Sequence, residues 1–227
     1  KLSYLYYRSS GRTSGQINQL FRSNSVLQTL VANGNAFTGT IPNFLQNPLI
    51  NYVDLSNNNF TGHIPGFSNL TNLREIRLEN NNCTSIGNPE LLTNLYKFTV
   101  HNNDLSGSVP DFSTWPQLRS LSLNNNSFTS YKSGSFATLT RINFIDLSNC
   151  HLNQTAQNAI IDDLKLSYDN GNRSRLVINL RGNSKFDNSN ILIEPSTDAK
   201  KIARDLVRVS GWTIVVNGTL GTDEPEE

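Results

Sequence analysis

The chain of 227 residues has few of the features that mark an enzyme, a membrane protein or a nucleic-acid-binding protein. It carries 19 basic and 18 acidic residues, a net charge of +1, and so lacks the strong positive field that attracts nucleic acid or an anionic membrane. No apolar run approaches the roughly 18 residues of a membrane span. Motifs for nucleophilic catalysis, nucleotide binding or metal binding are also missing. We therefore expect no catalytic residue, metal site, cofactor, nucleic-acid partner or membrane span in this chain.

A repeated apolar pattern dominates the sequence. In one copy, Ile50, Val53, Leu55 and Phe60 are separated by three, two and five positions, which fits neither a helix nor a simple alternating strand. The pattern L-x-x-L-x-L-x-x-N-x-L recurs six times between residues 25 and 152, with a period of 22 to 24 residues. Such self-similarity is typical of a leucine-rich repeat solenoid, in which neighbouring repeats bury each other's apolar sides.

Each repeat predicts one short strand and one buried polar side chain. In the copy above, Val53 and Leu55 should point inward and Asp54 outward, and stacked copies should form a parallel sheet. A buried Asn is tolerated only if both ends of its amide are hydrogen-bonded. Asn103→Ala should therefore destabilise the fold by roughly 1 to 3 kcal/mol, whereas we expect Asn102 to tolerate Ala within about 0.5 kcal/mol. The predicted structural ladder comprises Asn35, Asn58, Asn81, Asn103, Asn126, Cys150 and Asn183.

The two cysteines, Cys83 and Cys150, lie in repeats three steps apart. At about 4.8 Å per strand they are separated by at least ~14 Å, twice the ~7 Å limit for the Cα atoms of a disulfide. Cys83 takes a Leu position and Cys150 a ladder position. We expect both to be free, buried thiols without a reactive role.

The residues that follow the ladder position suggest a particular class of repeat. The turns Gly39–Pro42, Gly62–Pro65 and Gly107–Pro110 match T/S-G-x-I-P, in which Gly permits a positive φ and Pro fixes the turn. The whole string resembles the plant-specific class of leucine-rich repeats, found in receptor-like kinase ectodomains and polygalacturonase-inhibiting proteins. This resemblance implies an α/β solenoid of horseshoe shape. It would have a concave parallel sheet of about eight short strands and an irregular or 3-10 convex side.

We predict a single repeat domain over residues 1–217 and an acidic tail or linker at 218–227. Residues 1–24 are a degenerate first unit, 25–152 are the six regular repeats, and 153–217 form a C-terminal cap. In the cap, periodicity predicts helices at Thr155–Tyr168 and Thr197–Ser210, and strands at Leu176–Leu180 and Trp212–Val216. The order of these elements is similar to the ends of bacterial and phage repeat proteins. Because the chain starts at Lys1 without a signal peptide, we expect a processed or excised piece of a larger product.

The outward strand positions form the largest organised surface and contain the predicted ligand-binding residues. Our leading hypothesis is a non-catalytic, extracellular or cell-surface recognition or adhesion module that binds a protein, peptide or glycan there. One alternative is a structural subunit of a fibre, virion or surface assembly. It would associate with itself or a flanking domain through the uncapped N-terminal edge. A further alternative is an enzyme inhibitor similar to polygalacturonase-inhibiting proteins. The candidate ligand-binding residues are Tyr52, Asp54, Glu75, Arg77, Glu79, Lys97, His101, Phe144 and Asp146.

Seven N-x-S/T sequons favour a secreted, N-glycosylated chain. Asn59 and Asn82 occupy the same position in successive repeats, so a glycan that fits one should fit the other. The candidate glycosylation sites are Asn59, Asn69, Asn82, Asn125, Asn153, Asn172 and Asn217.

Overall fold

The computed structural model describes residues 2–7, 14–17, 21, 24–87, 92–172, 175–183 and 194–217. The predicted acidic tail at 218–227 lies outside these ranges. Fifteen strands and two helices are numbered in chain order. Nine strands form one parallel sheet, ordered along the solenoid as in the sequence. These are β1 (Tyr4–Tyr6), β3 (Thr29–Val31), β5 (Tyr52–Asp54), β7 (Glu75–Arg77), β9 (Lys97–Thr99), β11 (Ser120–Ser122), β13 (Phe144–Asp146), β14 (Val177–Asn179) and β15 (Thr213–Val215).

The solenoid prediction is confirmed, with nine described strands in the main sheet instead of about eight. Each three-residue strand directs its central side chain inward, as Val53 and Ile76 show, and both are fully buried. The register is constant from turn to turn: Tyr52 lies beside Glu75, and Glu75 beside Lys97. The flanking side chains therefore form continuous rows on the opposite face of the sheet. We call that surface the concave face.

The side of the solenoid that follows the ladder is more regular than predicted. Two short parallel sheets replace an irregular or 3-10 chain: β2 (Ser14–Gln16), β4 (Ala36–Gly39), β6 (Asn59–Ile64) and β8 (Asn82–Ile86) in one, and β10 (Ser106–Val109) and β12 (Ser127–Tyr131) in the other. The turn glycines Gly39, Gly62 and Gly107 have φ of 85°, 74° and 85°. A side chain is strained at such angles, which explains Gly at this point of the repeat.

The buried ladder binds each turn to the one before it. Asn58 illustrates the arrangement: its Oδ1 accepts the N–H of Phe37 at 3.1 Å, and its Nδ2 donates to the carbonyls of Ala32, Leu55 and Ser56 at 2.9 to 3.1 Å. The Oδ1 atoms of Asn81, Asn103, Asn126 and Asn183 accept a main-chain N–H of the preceding turn in the same way.

Cys150 takes the ladder position of its turn with weaker contacts. Its Sγ lies 3.6 Å from the Leu123 carbonyl and 3.8 Å from that of Ser148. The longer sulfur contacts are consistent with a thiol serving as a poor substitute for the amide.

A second row of asparagines runs beside the buried one and was missed by the sequence reasoning. Its members have φ of 52° to 58°, and from the second member on, each Nδ2 donates to the Oδ1 of the preceding member at 2.6 to 2.9 Å. The row consists of Asn57, Asn80, Asn102, Asn125 and Asn149. We expected Asn102 to tolerate Ala because we took it for an exposed residue without structural contacts, and that assumption is wrong. Ala lacks the amide and is strained at positive φ.

The C-terminal elements match their predicted positions closely. Helix α1 spans Gln154–Asp169 and is capped by Asn153, while α2 spans Thr197–Ser210 between Ser196 at its N-cap and Gly211 at its C-cap, with φ of 69°. In the described residues, neither helix is both long and apolar enough to cross a membrane.

Both cysteines are free and buried, as predicted. Burial raises the pKa of each thiol to about 12, so neither forms the reactive thiolate at neutral pH. We expect a thiol reagent to label neither residue in the native protein and both after denaturation, monitored by absorbance and mass spectrometry. Rapid native labelling, or a mass that shows a Cys83 to Cys150 bond, would contradict the stacking.

Candidate functional site

The predicted ligand-binding residues of β5, β7 and β9 lie side by side on the concave face. Glu75 is at the centre: its carboxylate accepts from Arg77 Nε at 2.6 Å and Tyr96 OH at 2.9 Å, and lies 3.4 Å from Lys97 Nζ. Tyr52 occupies the adjacent position of β5. Two cations and two aromatic side chains therefore surround one carboxylate. We call this group, Glu75 with Tyr52, Arg77, Tyr96 and Lys97, the Glu75 cluster.

Glu75 is 7% exposed. Burial raises the pKa of this carboxyl, but hydrogen bonds from Arg77 and Tyr96 and the charges of Arg77 and Lys97 outweigh that effect and leave the pKa below its ordinary value. Glu75 thus remains ionised at neutral pH and holds the cations in place.

Arg77 and Tyr52 are the side chains best placed to contact a ligand. Arg77 uses its Nε for Glu75, and among the described residues its two terminal nitrogens have no other acceptor. Tyr52 is half-buried, and burial is the main cause of the raised pKa of its phenol, which stays neutral. The cluster therefore offers a guanidinium edge and an aromatic ring on rigid strands.

A second contact extends this cluster toward the ends of the strands. Thr99 Oγ1 donates to Glu79 Oε2 at 2.6 Å. His101 comes two residues after Thr99 in the chain. His101 Nδ1 is a buried ring nitrogen with no hydrogen-bond partner. Within the described part of the chain, no group of three or more His, Cys, Asp or Glu side chains is arranged to hold a metal ion.

Three other predicted site residues have different surroundings. Asp54 is 7% exposed, and its Oδ1 accepts from the N–H and the hydroxyl of Ser56 at 3.1 and 2.7 Å. Asp146 makes the same two contacts with Ser148. Both carboxylates therefore stabilise the turn after their strand. Phe144 lies two strands beyond Lys97, about 10 Å away, and the structure does not bring it into the Glu75 cluster.

The candidate glycosylation sites differ in their access to solvent. Asn172 is fully buried, with Nδ2 donating to the carbonyls of Leu139 and Ile142. Asn217 is 3% exposed and donates from Nδ2 to the Asn183 carbonyl. A glycan attaches through Nδ2, so the prediction of glycans at these two sites conflicts with the folded chain.

The other five sequons lie nearer the surface. The Nδ2 atoms of Asn69 and Asn125 donate to Phe44 O and Asn102 Oδ1. Asn59, Asn82 and Asn153 are exposed, and within the described chain their Nδ2 atoms have no hydrogen-bond acceptor.

The sequence reasoning also missed a buried carboxylate that attaches α1 to the repeats. Asp163 is 1% exposed and accepts from the Tyr131 hydroxyl and the main-chain N–H groups of Gly134 and Phe136 at 2.5 to 3.1 Å. Burial, followed by this hydrogen bond, raises the pKa of Tyr131 far above its ordinary value. The phenol therefore stays protonated and donates. The only sequence signal for this contact is an acidic residue on the apolar side of a predicted helix.

Comparison with known proteins agrees with this architecture. Family models described as leucine-rich repeat match residues 50–70 and 93–152. No curated protein matches the chain.

Several plant receptor structures are similar to the chain. The peptide hormone receptor RGFR1 in complex with RGF2 is 28% identical with a TM-score of 0.68, over 81% of this chain and 28% of that one. PEPR1 in the PEPR1–AtPEP1 structure has the same identity and TM-score, over 79% and 25%. The Arabidopsis receptor kinase HAESA, with the peptide hormone IDA and the co-receptor SERK1, is 29% identical with a TM-score of 0.59, over 65% and 26%. The chain thus spans about a quarter of the length of these receptor chains. The chain contains leucine-rich repeats and resembles the plant-specific class of these repeats.

Proposed function

We propose that this chain is a non-catalytic recognition module whose concave face binds a peptide. The observation that carries the proposal is the Glu75 cluster, in which Arg77, Tyr52 and Lys97 are fixed side by side on three adjacent strands. Strands hold side chains in place better than loops do, so little conformational entropy is lost on binding. Arg and Tyr are also the residue types most enriched among binding hot spots.

The similar structures support a peptide as the ligand class. RGFR1 is in complex with RGF2, and HAESA with the peptide hormone IDA. By analogy with these receptors we propose an extracellular location for this chain. Glycans at Asn59, Asn82 and Asn153 would be consistent with that location, because all three side chains are exposed.

The test uses a phage-displayed random-peptide library selected on the unmodified protein. We expect the double variant Tyr52→Ala, Arg77→Gln to bind the selected peptides with about 30-fold lower affinity, which corresponds to the loss of ~2 kcal/mol at a hot spot. Replacing Arg77 by Gln leaves Glu75 in contact with Lys97 and Tyr96, so the melting temperature should change little. Affinity is measured by calorimetry.

The matched control is His63→Ala combined with Lys132→Gln. Both residues are exposed and lie off the concave face, and the control removes the same amount of charge. Its affinity should equal that of the unmodified protein. Equal affinity of both double variants, or loss in the control alone, would contradict a concave peptide site.

One observation favours assembly through the N-terminal edge as a second candidate. In the described residues β1 has a strand partner only on its β3 side, and Tyr4 and Tyr6 are 58% and 54% exposed. An exposed strand edge with aromatic side chains can pair with another chain. Size-exclusion mass that rises with concentration would support this candidate, and a monomer at all concentrations would reject it.

A further inference from the structure

A row of exposed side chains runs along the rim of the main sheet, one position before each of four consecutive strands, β7, β9, β11 and β13. Three adjacent members are Arg74, Tyr96 and Arg119, which we call the rim strip. Their backbones are stacked directly: Tyr96 N–H donates to Arg74 O at 2.8 Å, and Arg119 N–H to Tyr96 O at 2.9 Å. All three side chains are exposed, Tyr96 by 39%. The row thus places one arginine on the turn before Tyr96 and one on the turn after it.

The positive charge of the rim strip is not neutralised by nearby acids. Neither Arg74 nor Arg119 forms an ion pair with any residue that the structure describes. Glu75, the neighbour of Arg74 in the sequence, is already engaged by Arg77 and Lys97. Arg141 extends the positive surface on the next turn, where its Nη1 donates to Gln117. An anionic partner would therefore meet cations without first displacing an internal ion pair.

The orientation of Tyr96 is fixed by its contact with Glu75. The phenol donates to Glu75 Oε2 at 2.9 Å, which fixes the ring on the turn between those of Arg74 and Arg119. Beside Arg74 lies a shallow hollow of about 330 Å³, lined also by Gln28, Leu49, Asn51 and Asn72. Its amide groups add hydrogen-bonding partners along the same line.

We propose that the rim strip binds a linear acidic polysaccharide that carries a carboxylate on alternate sugars. Arg74 and Arg119 are two strand spacings apart, about 10 Å. A sugar ring in an extended chain is about as long as one strand spacing, so acid groups on alternate sugars fall opposite the two arginines. The sugar between them then stacks on Tyr96, whose ring offers an apolar face to C–H groups.

An extended acidic peptide fits the rim strip less well. Its alternate side chains repeat every ~6.6 Å, which is out of step with the spacing of the two arginines. Of the residues that line the hollow beside Arg74, only Arg74 itself is charged, so the hollow offers no cation for a second carboxylate of such a peptide. The strip shares Tyr96 with the cluster around Glu75, whereas Arg74 and Arg119 lie outside the proposed peptide site, so the variants at the two arginines test the strip alone.

Fluorescently labelled hyaluronan oligosaccharides test the proposal, because they carry a carboxylate on alternate sugars. Fluorescence anisotropy should show binding that weakens with salt, as expected for exposed ion pairs. Arg74→Gln combined with Arg119→Gln should weaken binding at least tenfold. The control, Arg181→Gln combined with Lys201→Gln, changes two exposed cations elsewhere and should change affinity less than about twofold.

Two further comparisons distinguish the stacking of a sugar on Tyr96 and the spacing of the carboxylates from a general attraction between opposite charges. Tyr96→Ala should weaken binding more than Tyr96→Phe does, because Phe keeps the ring and loses only the hydrogen bond to Glu75. Carboxyl-reduced hyaluronan and polyglutamate should both bind more weakly than hyaluronan. The proposal would be overturned by equal binding of the reduced form, by tighter binding of polyglutamate, or by equal losses in the two double variants.

Discussion

Asn58→Ala is expected to lower the free energy of unfolding by about 3 kcal/mol, because it leaves buried main-chain groups without partners. The Asn58 amide accepts from the Phe37 N–H and donates to three carbonyls, and Asn58 is only 6% exposed. Urea denaturation monitored by circular dichroism measures the change.

The chain supplies its own controls in the two neighbouring asparagines. Asn57 has φ of 55° and bonds to Asn80 and Ser56 at the surface, so Asn57→Ala should cost about 1 to 2 kcal/mol. Asn59 is exposed and has no side-chain hydrogen bond within the described residues, so Asn59→Ala should stay within about 0.5 kcal/mol. Three equal effects would show that the register of the ladder is wrong.

Asp163→Ala is expected to cost about 3 kcal/mol or more, because three donors lose a buried, charged acceptor. The affected donors are the Tyr131 hydroxyl and the N–H groups of Gly134 and Phe136. Asp162→Ala changes the exposed neighbour on the same helix and should cost less than about 0.5 kcal/mol.

A double-mutant cycle with Tyr131→Phe isolates the contact between the phenol and the carboxylate. Tyr131→Phe should cost about 1 to 2 kcal/mol in the presence of Asp163 and clearly less in the Asp163→Ala background. Equal costs for Asp162→Ala and Asp163→Ala, or strict additivity in the cycle, would mean that this carboxylate does not attach α1 to the repeats.

The fold was accessible from the sequence because its determinants are local and repeated. The alternation of apolar and polar residues around Val53 and Leu55 is sufficient to place a strand. The spacing of the ladder asparagines gives the length of the repeat. Helix α2 could be delimited from Ser196 and Gly211 alone, because capping depends on one or two residues at each end.

The features that were missed depend on neighbouring turns. Asn57 and Asn102 look like ordinary loop residues in the sequence, and only stacking joins their amides into a row. Tyr96 occupies a variable position of the repeat, so nothing in one repeat indicates its bond to Glu75. The burial of Glu75 likewise comes from the side chains of Arg77, Tyr96 and Lys97, which cover it on a face expected to be exposed.

The central claim, that the concave face binds a peptide, is tested most directly by photo-crosslinking. A peptide selected on the unmodified protein would carry a photoreactive group at successive positions, and the crosslinked residues would be identified by mass spectrometry. We expect crosslinks on β5, β7 and β9, at Tyr52, Arg77 and Lys97 or their immediate neighbours on the concave face. Crosslinks confined to β6, β8, β10 and β12, or to the β1 edge, would contradict the claim.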